Sequence, residues 1–368
     1  MKSLEAPSHM ARLSVDDMVR HLGEAYLALL RDNAPLRLMP SVMLWSAPGL
    51  GKSQGVRQLA EYVGSRAKKK TVVRDVRLLL FNPVDLRGIP VADTNRTLAV
   101  WLRPKIFDLD ADGNILNFLF LDEISAAPPS VQAAAYQITL DRAVGEHKLP
   151  DNCIVIAAGN RVTDRSVAYQ MPLALANRLC HIELECDIQS WRRWATAGGI
   201  HPQILGWLAR RPDQLMGFNP GNDALAFPTP RTWEMASHLL HRISTDPEAI
   251  RPLLAGCLGA AAAVEFCAFC RSYGQLPPME DIFAGRCRTV PDKPDALYAL
   301  TSTMLAFART RANDLAAMGH SIRYALTLPP DFSFMLLRDY MALEDGYRNK
   351  LLAIPDFAEW LRRNERLL

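Results

Sequence analysis

Ser46-Ala47-Pro48-Gly49-Leu50-Gly51-Lys52-Ser53 is the stretch on which the reading of this chain turns. Pro48, Gly49 and Gly51 end the apolar run Val42-Met43-Leu44-Trp45, and a helical pattern begins near Lys52, so the local order is strand, loop, helix. In that setting glycines let the backbone fold tightly around phosphates, with its amides and the helix N-terminus facing the negative charge. The Lys52 ammonium can reach terminal phosphates and the Ser53 hydroxyl can ligate magnesium. The stretch fits the P-loop pattern except at its first position, where Ser46 stands for glycine, a departure expected to change the turn only modestly. Ala47, Pro48, Gly49, Leu50, Gly51, Lys52 and Ser53 are the candidate nucleotide-binding residues; the competing reading is a chance loop, against which the strand and helix on either side argue.

Outward from this loop, short apolar runs recur at Leu78-Leu79-Leu80-Phe81, Phe118-Leu119-Phe120-Leu121, Ile154-Val155-Ile156-Ala157 and His181-Ile182-Glu183-Leu184. They are spaced widely enough for crossover helices, and continuous apolar runs suit strands covered on both faces. The fold class expected is therefore α/β, a parallel sheet between helices. Upstream, Val15, Met18, Val19, Leu22, Tyr26 and Leu29 recur at helical spacing behind Ser14 and Asp17, an N-terminal capping pattern. Ser8-His9-Met10 resembles a cloning junction, and residues 1–13 are set aside as an N-terminal extension. Between Arg87 and Pro104 the turn-formers Asp93, Thr94 and Asn95 suggest an inserted hairpin or helix-hairpin near 91–104.

After residue 187 helical patterns dominate, at 188–197, 202–210, 232–243 and an alanine-rich 252–273. The expected organisation is a nucleotide-binding domain over 14–187, an all-α lid over 188–295 and a helical tail over 296–368.

The run ending in Phe120-Leu121 is followed by Asp122-Glu123, two carboxylates at the carboxyl end of a buried strand. Coupled to a P-loop, Asp122 would hold Mg²⁺ through its water shell, and Glu123 would orient and polarise the attacking water. An ordinary charged strand end is the plainer alternative. A third strand ends in Ala157-Ala158-Gly159-Asn160, which brings the Asn160 amide beside those carboxylates, able to hold the water or touch the γ-phosphate; a simple turn is its plainer reading.

Composition narrows the function classes. Lys+Arg and Asp+Glu nearly cancel, 42 against 39, so the chain lacks the basic footprint of a nucleic-acid binder. Lys68-Lys69-Lys70 reads as a solvated loop. No stretch reaches the ~20 apolar residues of a membrane span, and no signal pattern opens the chain, so a cytoplasmic protein is expected. Seven scattered cysteines do not suggest a disulfide framework. Cys267-Ala268-Phe269-Cys270 has metal-like spacing but lies in an apolar helical run, so both thiols read as core; His181, His238 and His241 read as core or surface histidines.

These motifs occur in the order found in AAA+ ATPases, and the chain resembles the MoxR-like branch. The resemblance is carried by the P-loop, 81–90 (Phe-Asn-Pro-Val-Asp-Leu-Arg-Gly-Ile-Pro), 120–125 with Val131-Gln132, Ala158-Gly159-Asn160, Ala176-Asn177-Arg178-Leu179 and 228–233 (Pro-Thr-Pro-Arg-Thr-Trp). It implies a nucleotide site binding ATP and Mg²⁺ between subunits of a homo-oligomer, a hexameric ring. Asn160 looks like sensor 1, and Arg178 looks like the arginine finger offered to the neighbouring subunit, with Arg161 and Arg165 as nearby alternatives. Arg231 resembles sensor 2, following Pro230 at a helix start. The kinship further implies a chaperone-like motor acting on a client or adaptor protein, one with a von Willebrand factor A domain. A DNA-directed motor or loader and a nucleotide-gated scaffold with little hydrolysis are the other classes considered. The first is disfavoured by the near-neutral charge and the second by intact Lys52, Asp122 and Glu123. A P-loop metabolite kinase would not need Asn160, Arg178 and Arg231 in this arrangement.

Overall fold

The computed structural model describes residues 10–161, 164, 169, 171, 173–219, 221, 223–271, 273, 276–343 and 346–365. The chain divides into two compact units, Met1–Asp187 and Ile188–Leu368.

The first unit contains β1 (Ala11–Leu13), α1 (Val15–Arg31), β2 (Val42–Trp45), α2 (Lys52–Ala67), β3 (Lys70–Arg77), α3 (Pro83–Arg87), β4 (Ile89–Ala92) and β5 (Ala99–Leu102). β6 (Ile115–Asp122), α4 (Pro129–Asp141), β7 (Ala143–Val144), β8 (His147–Lys148), β9 (Cys153–Gly159), α5 (Leu173–Ala176) and β10 (Cys180–Leu184) follow. Six strands form one sheet in the order β1-β10-β2-β9-β6-β3, and every pairing in it is parallel. The central strands are apolar at nearly every position because both faces are covered. Val42, Leu44, Phe118, Phe120, Ile154 and Ile156 pack with Met18, Leu22, Val56 and Leu59 of α1 and α2. Their alternate neighbours Met43, Leu119, Leu121, Val155 and Ala157 pack with Val131, Ala135 and Ile138 of α4. A buried side chain of this kind contributes about 1.5–3 kcal/mol each.

Four of the expected strands are in place, and the run Leu78-Leu79-Leu80-Phe81 is corrected. Leu78–Leu80 forms a 3₁₀ turn in which Leu78 is buried and Leu80 is exposed. The strand is Lys70–Arg77, so Lys70 of the expected lysine loop opens it. β3 lies at the sheet edge, where half-solvated positions tolerate polar residues, and this hides it from a search for continuous apolar runs. Ala11–Leu13, to which the sequence reading gives no element, is the other edge strand and pairs with β10. The expected insertion is a hairpin: β4 pairs antiparallel with β5, Pro90 opposite Trp101. Arg87 is exposed at the end of α3, while the Trp101 carbonyl accepts a hydrogen bond from His147 Nε2 (2.8 Å) and so anchors the hairpin to β8.

The second unit is helical: α6 (Ile188–Ala197), α7 (Pro202–Arg210), α8 (Pro230–Arg242), α9 (Arg251–Leu258), α10 (Ala260–Cys270), α11 (Met279–Phe283), α12 (Pro294–Arg311), α13 (Leu315–Ala325), α14 (Pro330–Met341), α15 (Tyr347–Leu351) and α16 (Pro355–Asn364). The expected helix over 252–273 is two helices, because Gly259 at φ 86° ends α9 and starts α10. α12 packs along α7, and Arg210 pairs with Asp295 at 2.9 Å, so residues of the expected lid and tail share one unit. A core of Ile282, Leu300, Met304, Ile322, Leu337 and Phe357 joins its last helices. Cys267 and Cys270 are buried on α10; burial pushes the Cys267 thiol up to about 11 and raises that of Cys270 as well. The seven cysteines form no disulfide. Among the described residues no helix is long and apolar enough to cross a membrane.

Candidate nucleotide-binding site

β2, the strand that feeds the loop of residues 46–51, lies between β9 and β10. Parallel packing brings the carboxyl ends of β2, β6 and β9 to one edge of the sheet, the edge at which open α/β sheets bind ligands. Gly49 and Gly51 have φ of 79° and 105°, a backbone region that side chains disfavour. A Cβ at Gly51 would meet no protein atom within 4 Å, so glycine is required there by conformation rather than by space. Gly51 is also the N-cap of α2 and provides no side-chain hydrogen bond, which leaves the first-turn amides available to an anion.

Lys52 Nζ donates to Asn160 Oδ1 (2.6 Å), Ser46 Oγ (3.1 Å) and the Ser46 carbonyl (3.2 Å). Ser46 is fully buried and donates to the Ala47 carbonyl at 3.0 Å. It therefore does more than stand in for a glycine, since its hydroxyl accepts from the lysine and fixes the loop entry. Next to Lys52, Ser53 Oγ lies 3.3 Å from Asp122 Oδ2. Asp122 Oδ1 accepts the Glu123 amide at 2.9 Å, so one carboxylate oxygen holds the backbone and the other faces Ser53. Two hard oxygen donors so arranged fit Mg²⁺. Asp75, on β3, has its carboxyl held above the usual range by burial and by the charge of Asp122.

Glu123 has φ 59°, a left-handed conformation uncommon outside glycine. Hydrogen bonds on both sides hold it there: Ala126 N to the Glu123 carbonyl (3.0 Å) and Ile124 N to the Ala158 carbonyl (2.9 Å). The second fastens the turn after β6 to β9. Ser125 adds a parallel tie by accepting the Asn160 amide at 3.0 Å. Gly159 makes room for it, since a Cβ there would stand 2.7 Å from Ser125 Oγ and 2.9 Å from Met43 Cε.

Thus Lys52, Ser53, Asp122, Glu123 and Asn160 meet through hydrogen bonds or adjacent backbone. Arg178 lies exposed on the turn between α5 and β10. Arg161 is committed within its own chain: its guanidinium pairs with Asp164 (2.9 Å) and with Glu183, whose other oxygen lies 3.3 Å from Arg12 Nε. Asp164 and Glu183 are both buried beneath this network. Arg165 lies outside the described residues. Arg231 is in the second unit, exposed at the second position of α8, behind Pro230 at the first. Thr229 caps that helix, accepting the Thr232 amide at 3.1 Å.

Residues 41–181 match the family model of the ATPase family associated with various cellular activities (AAA). The P-loop, both carboxylates, Asn160 and Arg178 lie inside the matched residues, and the first unit has a P-loop α/β fold built on a parallel sheet. Among solved structures, a candidate ATPase of Cytophaga hutchinsonii is similar at 16% identity over 89% of this chain and 83% of its own, TM-score 0.31. A RuvB mutant of Thermotoga maritima is similar at 15% identity over 81% of this chain and 86% of its own, TM-score 0.40. The ORC2 protein of Aeropyrum pernix is similar at 12% identity over 92% of this chain and 88% of its own, TM-score 0.37. No curated protein matches the chain.

Sequence reasoning missed Ser46, Ser125, Trp45 and His181. Trp45 Nε1 donates to His181 Nδ1 at 2.9 Å, and His181 Nε2 donates to the Ala176 carbonyl at 2.7 Å. The only sequence signal was the alternation His181, Ile182, Glu183, Leu184, which sets a polar face on β10 opposite its core face.

Proposed function

We propose that this chain is an ATP-hydrolysing AAA+ motor of MoxR type, a ring-forming, chaperone-like protein that remodels or activates a partner protein. The observation that carries the reading is the meeting of Lys52 with Asn160 and of Ser53 with Asp122 at the carboxyl ends of β2, β6 and β9.

The P-loop amides and the α2 N-terminus bind the phosphates of ATP, and Lys52 neutralises the terminal ones. Ser53 and Asp122 would hold Mg²⁺, which would supply positive charge at the phosphate oxygens. Glu123 orients a water in line with the γ-phosphate and accepts its proton, while the Asn160 amide steadies the water or a γ-phosphate oxygen. Arg178, permanently charged and exposed, stabilises the transferring group of a neighbouring subunit's ATP. Arg231 serves as the lid's contact to nucleotide. A cation in the first turn of a helix is disfavoured by ~0.3–1 kcal/mol, an effect that an approaching phosphate offsets. The hexamer and the partner, one with a von Willebrand factor A domain, follow from the MoxR resemblance.

The test is magnesium-dependent phosphate release from ATP by the wild type, Lys52→Ala and Glu123→Gln, with nucleotide binding followed in parallel. Binding and hydrolysis lost in Lys52→Ala, with binding kept and hydrolysis lost in Glu123→Gln, support the reading. Wild-type levels of hydrolysis in Glu123→Gln overturn it.

A further inference from the structure

His181 joins two parts of the first unit that the proposed reaction uses separately. An indole nitrogen can only donate and a carbonyl oxygen can only accept. With Trp45 Nε1 on Nδ1 and the Ala176 carbonyl on Nε2, both bonds form only in the neutral ring carrying its proton on Nε2. The two rings are also stacked, 14° apart with centroids at 6.1 Å. Trp45 is the last residue of β2 and precedes Ser46, whose hydroxyl and carbonyl both accept from Lys52. Ala176 is the last residue of α5, and Arg178 follows it two positions on, in the turn that leads back to β10. One imidazole thus spans from the strand end at the P-loop to the turn that presents Arg178.

The rest of the β10 polar face behaves likewise. Glu183, two residues from His181, binds Arg161, which follows Asn160 directly, and Arg12 of β1. The register places Glu183 opposite Trp45 and His181 opposite Met43, so this face of β10 lies alongside the strand that feeds the P-loop.

We infer that His181 is a positioning residue that couples the P-loop of one subunit to the arginine that the same subunit offers to the next. The inference rests on the shared-site reading above. His181 touches neither nucleotide nor water; it sets where the turn bearing Arg178 stands relative to β2. A displacement of about 1 Å of a catalytic group can lower a rate by up to about a hundredfold, so loss of the link from Trp45 to Ala176, two residues before Arg178, has ample effect.

The experiment uses full-length chains mixed in pairs, one partner supplying a nucleotide site without Arg178 (Arg178→Ala) and the other supplying Arg178 without hydrolysis (Glu123→Gln). Recovery of ATPase in this control mixture is required by shared sites. His181→Phe, which preserves the ring stack and removes both hydrogen bonds, is then added to one partner at a time. On the Glu123→Gln partner it should lower the recovered rate roughly tenfold or more, and on the Arg178→Ala partner by less than about twofold. His181→Gln, whose side-chain amide can still donate to the Ala176 carbonyl, should return part of the loss. If His181→Phe proves poorly folded by its melting curve, Trp45→Phe, which removes one of the two bonds, should show the same asymmetry at smaller size. Equal losses on the two partners, or none, overturn the role of His181 while leaving shared sites intact. A control mixture without recovery overturns the shared-site reading and this inference with it.

Discussion

Lys52 and Asn160 stand 108 positions apart in the chain, yet Lys52 Nζ lies 2.6 Å from Asn160 Oδ1. The contact exists because β2 and β9 are adjacent parallel strands that end level with each other, Trp45 opposite Gly159. The charged donor and the amide acceptor are thereby prepositioned at the same edge of the sheet, where fixed dipoles act on developing charge without reorganising.

Removing the Asn160 amide should therefore affect the reaction more than binding. Asn160→Ala is expected to lower the ATPase rate about a hundredfold, in the range seen when one preorganised hydrogen-bonding group is deleted. Equilibrium titration with a fluorescent ATP analogue should show less than about a tenfold change. A large loss of affinity with unchanged turnover of bound nucleotide would place Asn160 in binding instead.

Gly159 and Ser125 should behave as a supporting pair. Gly159→Ala forces a Cβ against Ser125 Oγ and Met43 Cε, and overpacking of this kind destabilises by about 1–3 kcal/mol. The turn bearing Glu123 and the Asn160 amide should shift with it, so the urea midpoint and the ATPase rate are both expected to fall. Ser125→Ala, which loses only the bond to the Asn160 amide, should cost about 1 kcal/mol of stability.

The left-handed backbone at Glu123 sets stability against activity. Glu123→Gly relieves that conformation and is expected to raise the unfolding free energy of the first unit by up to about 1 kcal/mol while abolishing hydrolysis. Urea unfolding of this variant beside Glu123→Gln, which keeps the side-chain size, measures the effect. A destabilised Glu123→Gly would show that the side chain stabilises more than its backbone strain removes.

The second unit should lose stability in mild acid through His201. Burial, with a smaller contribution from His241, depresses the His201 imidazole to about 4 from an ordinary 6.5. The unfolded chain therefore binds the proton more readily between those values, and stability falls as pH drops from about 6.5 towards 4. Linkage gives a loss of roughly 2 kcal/mol at pH 5 relative to pH 7. His201→Asn, which retains a capping side chain at the start of α7, should flatten the urea midpoints across that window.

How far these features could be read from sequence depended on whether their cause is local. β2, β6 and β9 are visible because burial on two faces writes a continuous apolar run, β10 because Ile182 and Leu184 alternate with polar residues, and the P-loop because its glycines are needed by backbone conformation. β3 was misplaced onto Leu78–Phe81 because an edge strand carries Lys70, Arg74 and Asp75 and looks like a loop. Asp122 and Ser53 could be expected to meet, since strand ends and helix starts converge in a parallel sheet. Ser46, Ser125 and His181 could not, because each acts through a partner set by strand order rather than by spacing: Lys52, Asn160, and Trp45 with Ala176. The ion pairs of Arg161 with Asp164 and Glu183 could not be read from spacing either, since Glu183 reaches it from another strand.

The most direct test of the central claim is the steady-state ATPase rate per subunit as a function of protein concentration for the wild type, Arg178→Ala and Glu123→Gln, and for the two variants mixed. We expect a wild-type rate that rises with concentration, and an Arg178→Ala rate lower by roughly a thousandfold, the scale of an arginine supplied in trans. Nucleotide binding should survive in both variants and activity should partly return on mixing. Hydrolysis that does not depend on concentration and is unchanged in Arg178→Ala would contradict a site completed by a second copy of the chain.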